Sequence, residues 1–336
     1  MQQFGSTGGP RGPRRRGILG AGLAAALAAP RIALGQPGGY PARPVRVVNA
    51  YSPGGPADVV CRIVFARLSQ QMGQQFVIEN RPGAAGTIAA GVVARAPGDG
   101  YTLLYDATAH TVNPAIFGAR LPYDTRRDFL PVFLSMHVPN TLLAANSFAP
   151  QNVAELIALA KATPAGLDCS TTGVGTGPHI SLELFNSLTG ARLNHVVYRD
   201  MAAAQNDLLS GRVPLQFSNV LAAVPHLQAH TARVLAQCGP GPVAALPGVP
   251  SMSDTVPGFE TYEWNGIFAP AHTPAEIVRR LNLGLNEAIR DPVTIQRLTE
   301  IGASTHANTP EEFAAFLDQQ FALHARVVRE AHITID

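Results

Sequence analysis

Two short segments of this 336-residue chain carry residue types suited to holding an anion. The first is Ser52-Pro53-Gly54-Gly55-Pro56-Ala57-Asp58. The second is Ser170-Thr171-Thr172-Gly173-Val174-Gly175-Thr176-Gly177-Pro178-His179. Each follows an apolar run, is rich in Gly and hydroxyl groups, and puts Pro at the first position of a helical pattern. Gly lets a backbone approach a ligand closely. The free N–H groups of a helix's first turn then point at that ligand, with the positive end of the dipole behind them. The chemistry is anion capture with no covalent step. The plain alternative is a pair of tight turns that hold nothing. Two matched junctions far apart in the chain favour one shared cleft.

The second junction reads Gly-x-Gly-x-Gly. It lacks the Lys of a phosphate-binding loop and misses the GxGxxG spacing. The single Lys of the chain, Lys161, lies far from both junctions. A carboxylate therefore fits better than a polyphosphate. No G-x-S-x-G elbow and no H-E-x-x-H pair occurs, so neither a hydrolase nucleophile nor a zinc protease site is indicated. His110 and His179 fall near the expected cleft as hydrogen-bonding residues, whereas His137, His195, His226 and His324 read as surface or structural. The spacing of Cys61, Cys169 and Cys238 suggests no metal cluster. Buried thiols are expected, with a Cys169–Cys238 bridge after export left open. No cofactor and no metal is expected.

The elements that must position these junctions alternate. Strand patterns fall at Val45–Ala50, Phe76–Ile78, Thr102–Tyr105, Thr141–Ala145 and Leu167–Ser170, then at Val196–Tyr198, Val213–Phe217, Arg233–Ala236 and Gly266–Phe268. Helical spacing follows the first strand at Val59, Val60, Ile63, Val64 and Leu68. Asn152 with Glu155 reads as a capping box opening a helix over Val153–Ala162, and Thr273-Pro274-Ala275-Glu276 and Thr309-Pro310-Glu311-Glu312 repeat that start signal. Alternation of this kind means an α/β fold with largely parallel sheets, closed by three helices. In such sheets ligands bind at the carboxyl ends of the strands.

Hydrophobic residues make up 46% of the chain and charged residues 14%, which excludes a disordered polypeptide. A net charge of +2 gives no basic footprint for nucleic acid. The charge is unevenly placed. Residues 1–35 hold Arg11, Arg14, Arg15, Arg16 and Arg31 and no acid, so the remainder is acidic. The small-apolar stretch Gly17–Ala29 and the site Ala33-Leu34-Gly35 complete a secretory signal pattern. Arg15-Arg16 resembles a twin-arginine signal, with ordinary export as the alternative.

Further strings, in order, carry a family resemblance. They are Tyr40-Pro41-Ala42-Arg43-Pro44-Val45-Arg46, the Pro-Gly-Gly loop ending in Asp58, Glu79-Asn80-Arg81-Pro82-Gly83-Ala84-Ala85-Gly86, and Asp99-Gly100-Tyr101-Thr102-Leu103. Then come Asn113-Pro114, Leu121-Pro122-Tyr123-Asp124, Asp128-Phe129, Leu246-Pro247-Gly248-Val249-Pro250 and Phe268-Ala269-Pro270. The chain resembles the Bug-type extracytoplasmic solute-binding receptors of tripartite tricarboxylate transporters. The resemblance implies a periplasmic-binding-protein type II fold: two α/β lobes joined by two crossing strands. It places lobe 1 at 36–139 plus 240–336, with the C-terminal helices packed on it, and lobe 2 at 140–239. It implies a periplasmic, monomeric receptor for a small carboxylate, presented to membrane transporter subunits. Two departures lie at the expected cleft rim: Asp200 stands where the family has Gly, and Ser218 precedes Asn219 where the family has Asp.

The candidate ligand contacts are Tyr51, Ser52, Gly54, Gly55, Asp58, Thr108, His110, Ser170, Thr171, Gly173, Gly175, Thr176, His179, Tyr198, Asp200 and Asn219. Asp58 has two readings: it meets a ligand amine or hydroxyl, or it stabilises the first turn of its own helix. A secreted α/β enzyme acting on a carboxylate ester or phosphate is the competing function, and it needs a catalytic set that the sequence does not display. The signal reading makes a direct prediction. Protein recovered from the periplasm of the native host lacks residues 1–35, and full-length protein confined to the cytoplasm contradicts it. Arg15→Lys with Arg16→Lys abolishes export by the twin-arginine route and leaves ordinary export intact.

Overall fold

The computed structural model describes residues 39–198 and 200–334. The expected signal segment and Arg199 lie outside them. Chain order is β1 (Val45–Asn49), α1 (Pro56–Met72), β2 (Phe76–Asn80), α2 (Thr87–Ala94), β3 (Thr102–Ala107), α3 (Ala109–Phe117) and β4 (Phe129–Ala145). Next come α4 (Val153–Ala162), β5 (Leu167–Thr171), α5 (Gly177–Thr189), β6 (Leu193–Val197), α6 (Met201–Leu209), β7 (Leu215–Asn219), α7 (Val220–Gln228) and β8 (Ala232–Gln237). The chain closes with β9 (Tyr262–Pro270), α8 (Ala275–Ala288), α9 (Pro292–Glu300) and α10 (Pro310–Glu330).

The strand β4 is 17 residues long and serves two sets of partners. From Phe129 to Pro139 it pairs antiparallel with β9, beyond which lie β3, β1 and β2. From Asn140 to Ala144 it pairs antiparallel with β7, beyond which lie β5 and β6, and β8 takes its other edge. Strands β1, β2 and β3 are mutually parallel, as are β5, β6 and β7. The register fixes where each set stops. Ala107, ending β3, pairs with Asn265, which pairs with Met136, while Asn219, ending β7, pairs with Asn140. The two sets of carboxyl ends therefore face each other along β4. Four residues of strand separate them, or about 13 Å at the usual rise.

Both β4 and β9 exceed the patterns expected at Thr141–Ala145 and Gly266–Phe268. Their extra residues include Pro131, Pro139, Ser135, His137, Asn140, Glu263 and Asn265, and β4 carries two register shifts against β9. Polar residues and bulges break the period-two signal in these stretches. The start signals also divide. Thr309 and Glu312 form a full capping box. Asn152 accepts the Glu155 N–H, but Glu155 reaches back to Gln151. The helix α8 is capped by Pro274, one residue later than expected, and Thr273 bonds instead to the Pro270 carbonyl. Cys61, Cys169 and Cys238 are free and buried.

Helices α8 and α9 pack on α1. The last helix does more than the expectation that the C-terminal helices cover the first set of strands. At its start Phe313 packs edge-on against Trp264 and beside Phe268. At its end Val327 and Val328 join the cluster of Phe185, Phe217 and Phe259. At 21 residues, α10 spans about 31 Å and covers both sets. A Cβ on Gly266 would collide with the Phe313 ring, so that ring fills space a Gly leaves open. Phe313→Ala is expected to lower unfolding free energy by about 3–5 kcal/mol in urea titration. A loss below about 1 kcal/mol would show that the ring is not part of a close-packed core.

Candidate functional site

The first junction is built around a buried carboxylate. Asp58 Oδ1 accepts from Asn49 Nδ2 (3.0 Å) and Asn80 Nδ2 (2.7 Å), and Oδ2 accepts from the Gly54 N–H (2.9 Å) and Arg62 Nε (2.8 Å). Four donors fill the acceptor sites of a carboxylate. Burial opposes ionisation, but the bonds from Arg62, Asn80 and Gly54 outweigh it and hold the pKa below the ordinary carboxylate value. Asp58 thus shapes the loop from inside. Asn80 also donates to the Tyr51 carbonyl, so the end of β2 props the same turn. The Gly54 N–H is committed to Asp58, and the Gly55 N–H points to the Ser52 carbonyl (3.3 Å). Pro56 has no N–H. That leaves the Ala57 and Asp58 amides of the first turn of α1, which have no intrahelical acceptor.

The second junction is organised by hydroxyls and one imidazole. Thr176 caps α5, accepting the His179 N–H, and donates to the Gly173 carbonyl (3.0 Å). Gly175, at φ +76°, donates its N–H to His179 Nδ1 (3.1 Å). Thr171 bonds to His195 Nε2 (2.6 Å), and Ser170 donates to the Leu215 carbonyl (3.3 Å). Gly177 opens α5 where side chains crowd: a Cβ there would lie 2.8 Å from Glu263 Oε2 and 2.9 Å from the Tyr262 carbonyl.

The remaining candidates divide between the gap and the scaffold. Thr108 begins α3 at the end of β3, and its buried Oγ1 has no partner among the described residues. Tyr51 bonds to Asp106, and burial, then that charge, pushes its phenol well above the ordinary value. His110 is buried, stacked on Phe268 at 4.1 Å with Nδ1 3.3 Å from Asp106. Tyr198 bonds through its hydroxyl to Asp207. Asp200 caps α6 and Asn219 caps α7, so both departures at the rim fall at or beside helix starts. Helices α1 and α3 thus follow strand ends at one edge of the gap, and α5, α6 and α7 follow strand ends at the other.

The sequence reading missed Asp106, Asn140, Glu263 and Asn265. Asn140 donates to Ser181, which bonds in turn to Thr261 (2.7 Å), tying both crossings to α5. Asn140 Oδ1, Ser218 Oγ and both Asn265 side-chain atoms are buried without partners among the described residues. The available signal was a polar residue inside an otherwise apolar strand.

His179, Glu183 and His195 bring ligand-type atoms within 4.8 Å of one another. The imidazoles stack at 4.0 Å and 17°, so their in-plane lone pairs run side by side and do not converge on one ion. With Nδ1 accepting from Gly175, neutral His179 carries its proton on Nε2, 3.5 Å from Glu183. Burial, then His179, lowers the His195 pKa to about 3, so that ring is neutral. The trio reads as a packed pair that braces the loop.

Comparison with known proteins identifies the family and the fold. The model of the tripartite tricarboxylate transporter family receptor matches residues 60–333. The UPF0065 protein in the tcbD-tcbE intergenic region of Pseudomonas sp. (strain P51) is 34% identical over 302 residues, covering 89% of each chain. Among solved structures, R. palustris Rpa4515 with adipate has a TM-score of 0.80 at 34% identity, covering 88% of this chain and all of that one. MatC from Rhodopseudomonas palustris with bound malate has a TM-score of 0.76 at 31% identity, covering 86% of this chain and all of that one. The fold is the type II periplasmic-binding-protein fold, two α/β lobes joined by crossing strands, and the chain belongs to the tripartite tricarboxylate transporter receptor family.

Proposed function

We propose that this chain is a periplasmic receptor that captures a small carboxylate between the two facing strand edges and presents it to a tripartite membrane transporter, without covalent chemistry. The observation that carries the reading is the opposition of helix starts, α1 and α3 on one side and α5, α6 and α7 on the other, which follow strand ends whose levels lie about 13 Å apart along β4. Helix first turns offer N–H donors and positive dipole ends, and a short carboxylate spans such a gap. The lobes are 36–139 with 240–336, and 140–239. In this reading β4 changes partner at the first boundary. That two relatives were solved with adipate and malate supports a carboxylate as ligand.

Titration with linear and hydroxylated dicarboxylates, adipate and malate included, is expected to raise the melting temperature by mass action for at least one of them. A panel without any shift, alongside native mass spectrometry of freshly purified protein showing a non-carboxylate ligand, contradicts the reading. Asp58→Asn removes the charge that holds Gly54 and Arg62, at about 1.5–3 kcal/mol for a charge-assisted bond. It is expected to weaken the best ligand at least about tenfold by calorimetry with an unchanged circular dichroism spectrum. The same bond makes the first junction acid-sensitive. With a depressed folded pKa, its contribution is complete above the ordinary Asp value, about 3.9, and is lost as pH falls through the folded value.

A further inference from the structure

Glu263 differs from the buried acids Asp58 and Asp106 because no described residue answers it. Asp58 takes four donors. Asp106 takes the Ala107 N–H at 2.9 Å and has His110 and the Tyr51 hydroxyl beside it. Among the described residues, Glu263 has neither a hydrogen-bond donor nor an ion-pair partner. Register sets its place. It pairs with Val138, midway between Met136 and Asn140, the levels at which the two sets of strands stop. Its Oε2 stands against the first turn of α5, an approach that the missing Cβ of Gly177 permits. The residue keeps part of its surface exposed.

Taking the carboxylate-receptor reading as its basis, we infer that Glu263 is a specificity-determining residue of the cleft, donating a hydrogen bond from its protonated carboxyl group to a carboxylate oxygen of the bound solute. An ionised Glu263 would put like charge against the incoming anion with no cation between them. Burial raises its pKa to about 8, so the acid form prevails at neutral pH. The groups around it are consistent with that state. From the β1 junction and from β3 come the hydroxyls of Tyr51 and Tyr105, both kept neutral by burial, with Asp106 beyond Tyr51. From β4 come Val138 and Asn140, which do not titrate. From α5 come the backbone of Gly177 and, further along the helix, His179 and Glu183. On its own strand Tyr262 is bonded to Glu260. Binding is then coupled to a proton. Affinity is complete below the Glu263 pKa and falls as pH rises through it, because only the protonated fraction is competent. The solute class is a carboxylate, ionised throughout this range, that bridges the first turn of α5 and Glu263.

The test is calorimetry with succinate, glutarate and adipate from pH 6.5 to 9, on the wild type and on Glu263→Gln. From pH 7 to pH 9 the competent fraction drops from about nine-tenths to about one-tenth, so the wild-type Kd rises about tenfold. Gln keeps an N–H donor and has no charge to gain. The variant should bind within about threefold of wild type at pH 7 and show no such rise. A flat wild-type profile, the same rise in the variant, or a variant weakened more than about thirtyfold at pH 7 would each overturn the role. Carbon-13 NMR of Glu-labelled protein without ligand gives a second readout. A carboxyl resonance titrating near 8, lost in Glu263→Gln, is expected, and titration of that residue in the ordinary range overturns the role whatever binds. Absence of binding by all three acids at every pH would remove the receptor reading and this role together, whereas binding with a flat profile would remove the role alone.

Discussion

One strand shared by two sheets is the constraint on which the site depends. Because β4 is longer than either set of partners needs, β9 uses its first part and β7 its second. Each set is internally parallel, and the two run in opposite directions along β4. Their carboxyl ends must therefore meet near Met136–Asn140. The turns into α1, α3, α5, α6 and α7 follow those ends. The proposed capture of an anion rests on this register before any side chain is considered.

The charged and polar side chains around the gap mostly serve the backbone that faces it. Asp58 holds the first loop in shape, Asn80 props it, and the caps Thr176, Asp200 and Asn219 fix three helix starts. Glu79, held near a pKa of 2 by Arg46 and then Arg81, locks the strand end from which Asn80 projects. Asn113 pins the turn beyond it through the Ala85 carbonyl, and Asp124 and Asp128 close another turn on each other's segments. The strings that carry the family resemblance are thus largely turn builders. They preserve the positions of amide groups at the strand ends.

This division explains what the sequence reveals. Nine strand patterns appear where β1–β9 lie, because buried strands in an α/β sheet are dense in Val, Leu and Phe. The two junctions are legible because Gly, Pro and hydroxyls at a strand end have few other uses. The lengths of β4 and β9 are not legible, since Ser135, Asn140, Glu263 and Asn265 interrupt the apolar period at the crossings. Nor are the roles of His110 and Asp58, which turn on three-dimensional partners: the Phe268 ring in one case and Asn49, Asn80 and Arg62 in the other. The reach of α10 over both sets of strands follows from the placement of Phe313 and Val327 at opposite ends of one helix, a pattern any amphipathic helix displays.

The central claim is that one carboxylate-bearing solute engages helix starts on both edges at once. Amide hydrogen exchange and chemical shifts of Ala57, Asp58 and Gly177, read by nitrogen-15 NMR with and without saturating ligand, test it directly. Slowed exchange and downfield shifts at both the α1 and the α5 starts are the result expected. Perturbation confined to one edge, or to amides away from both, would contradict the account.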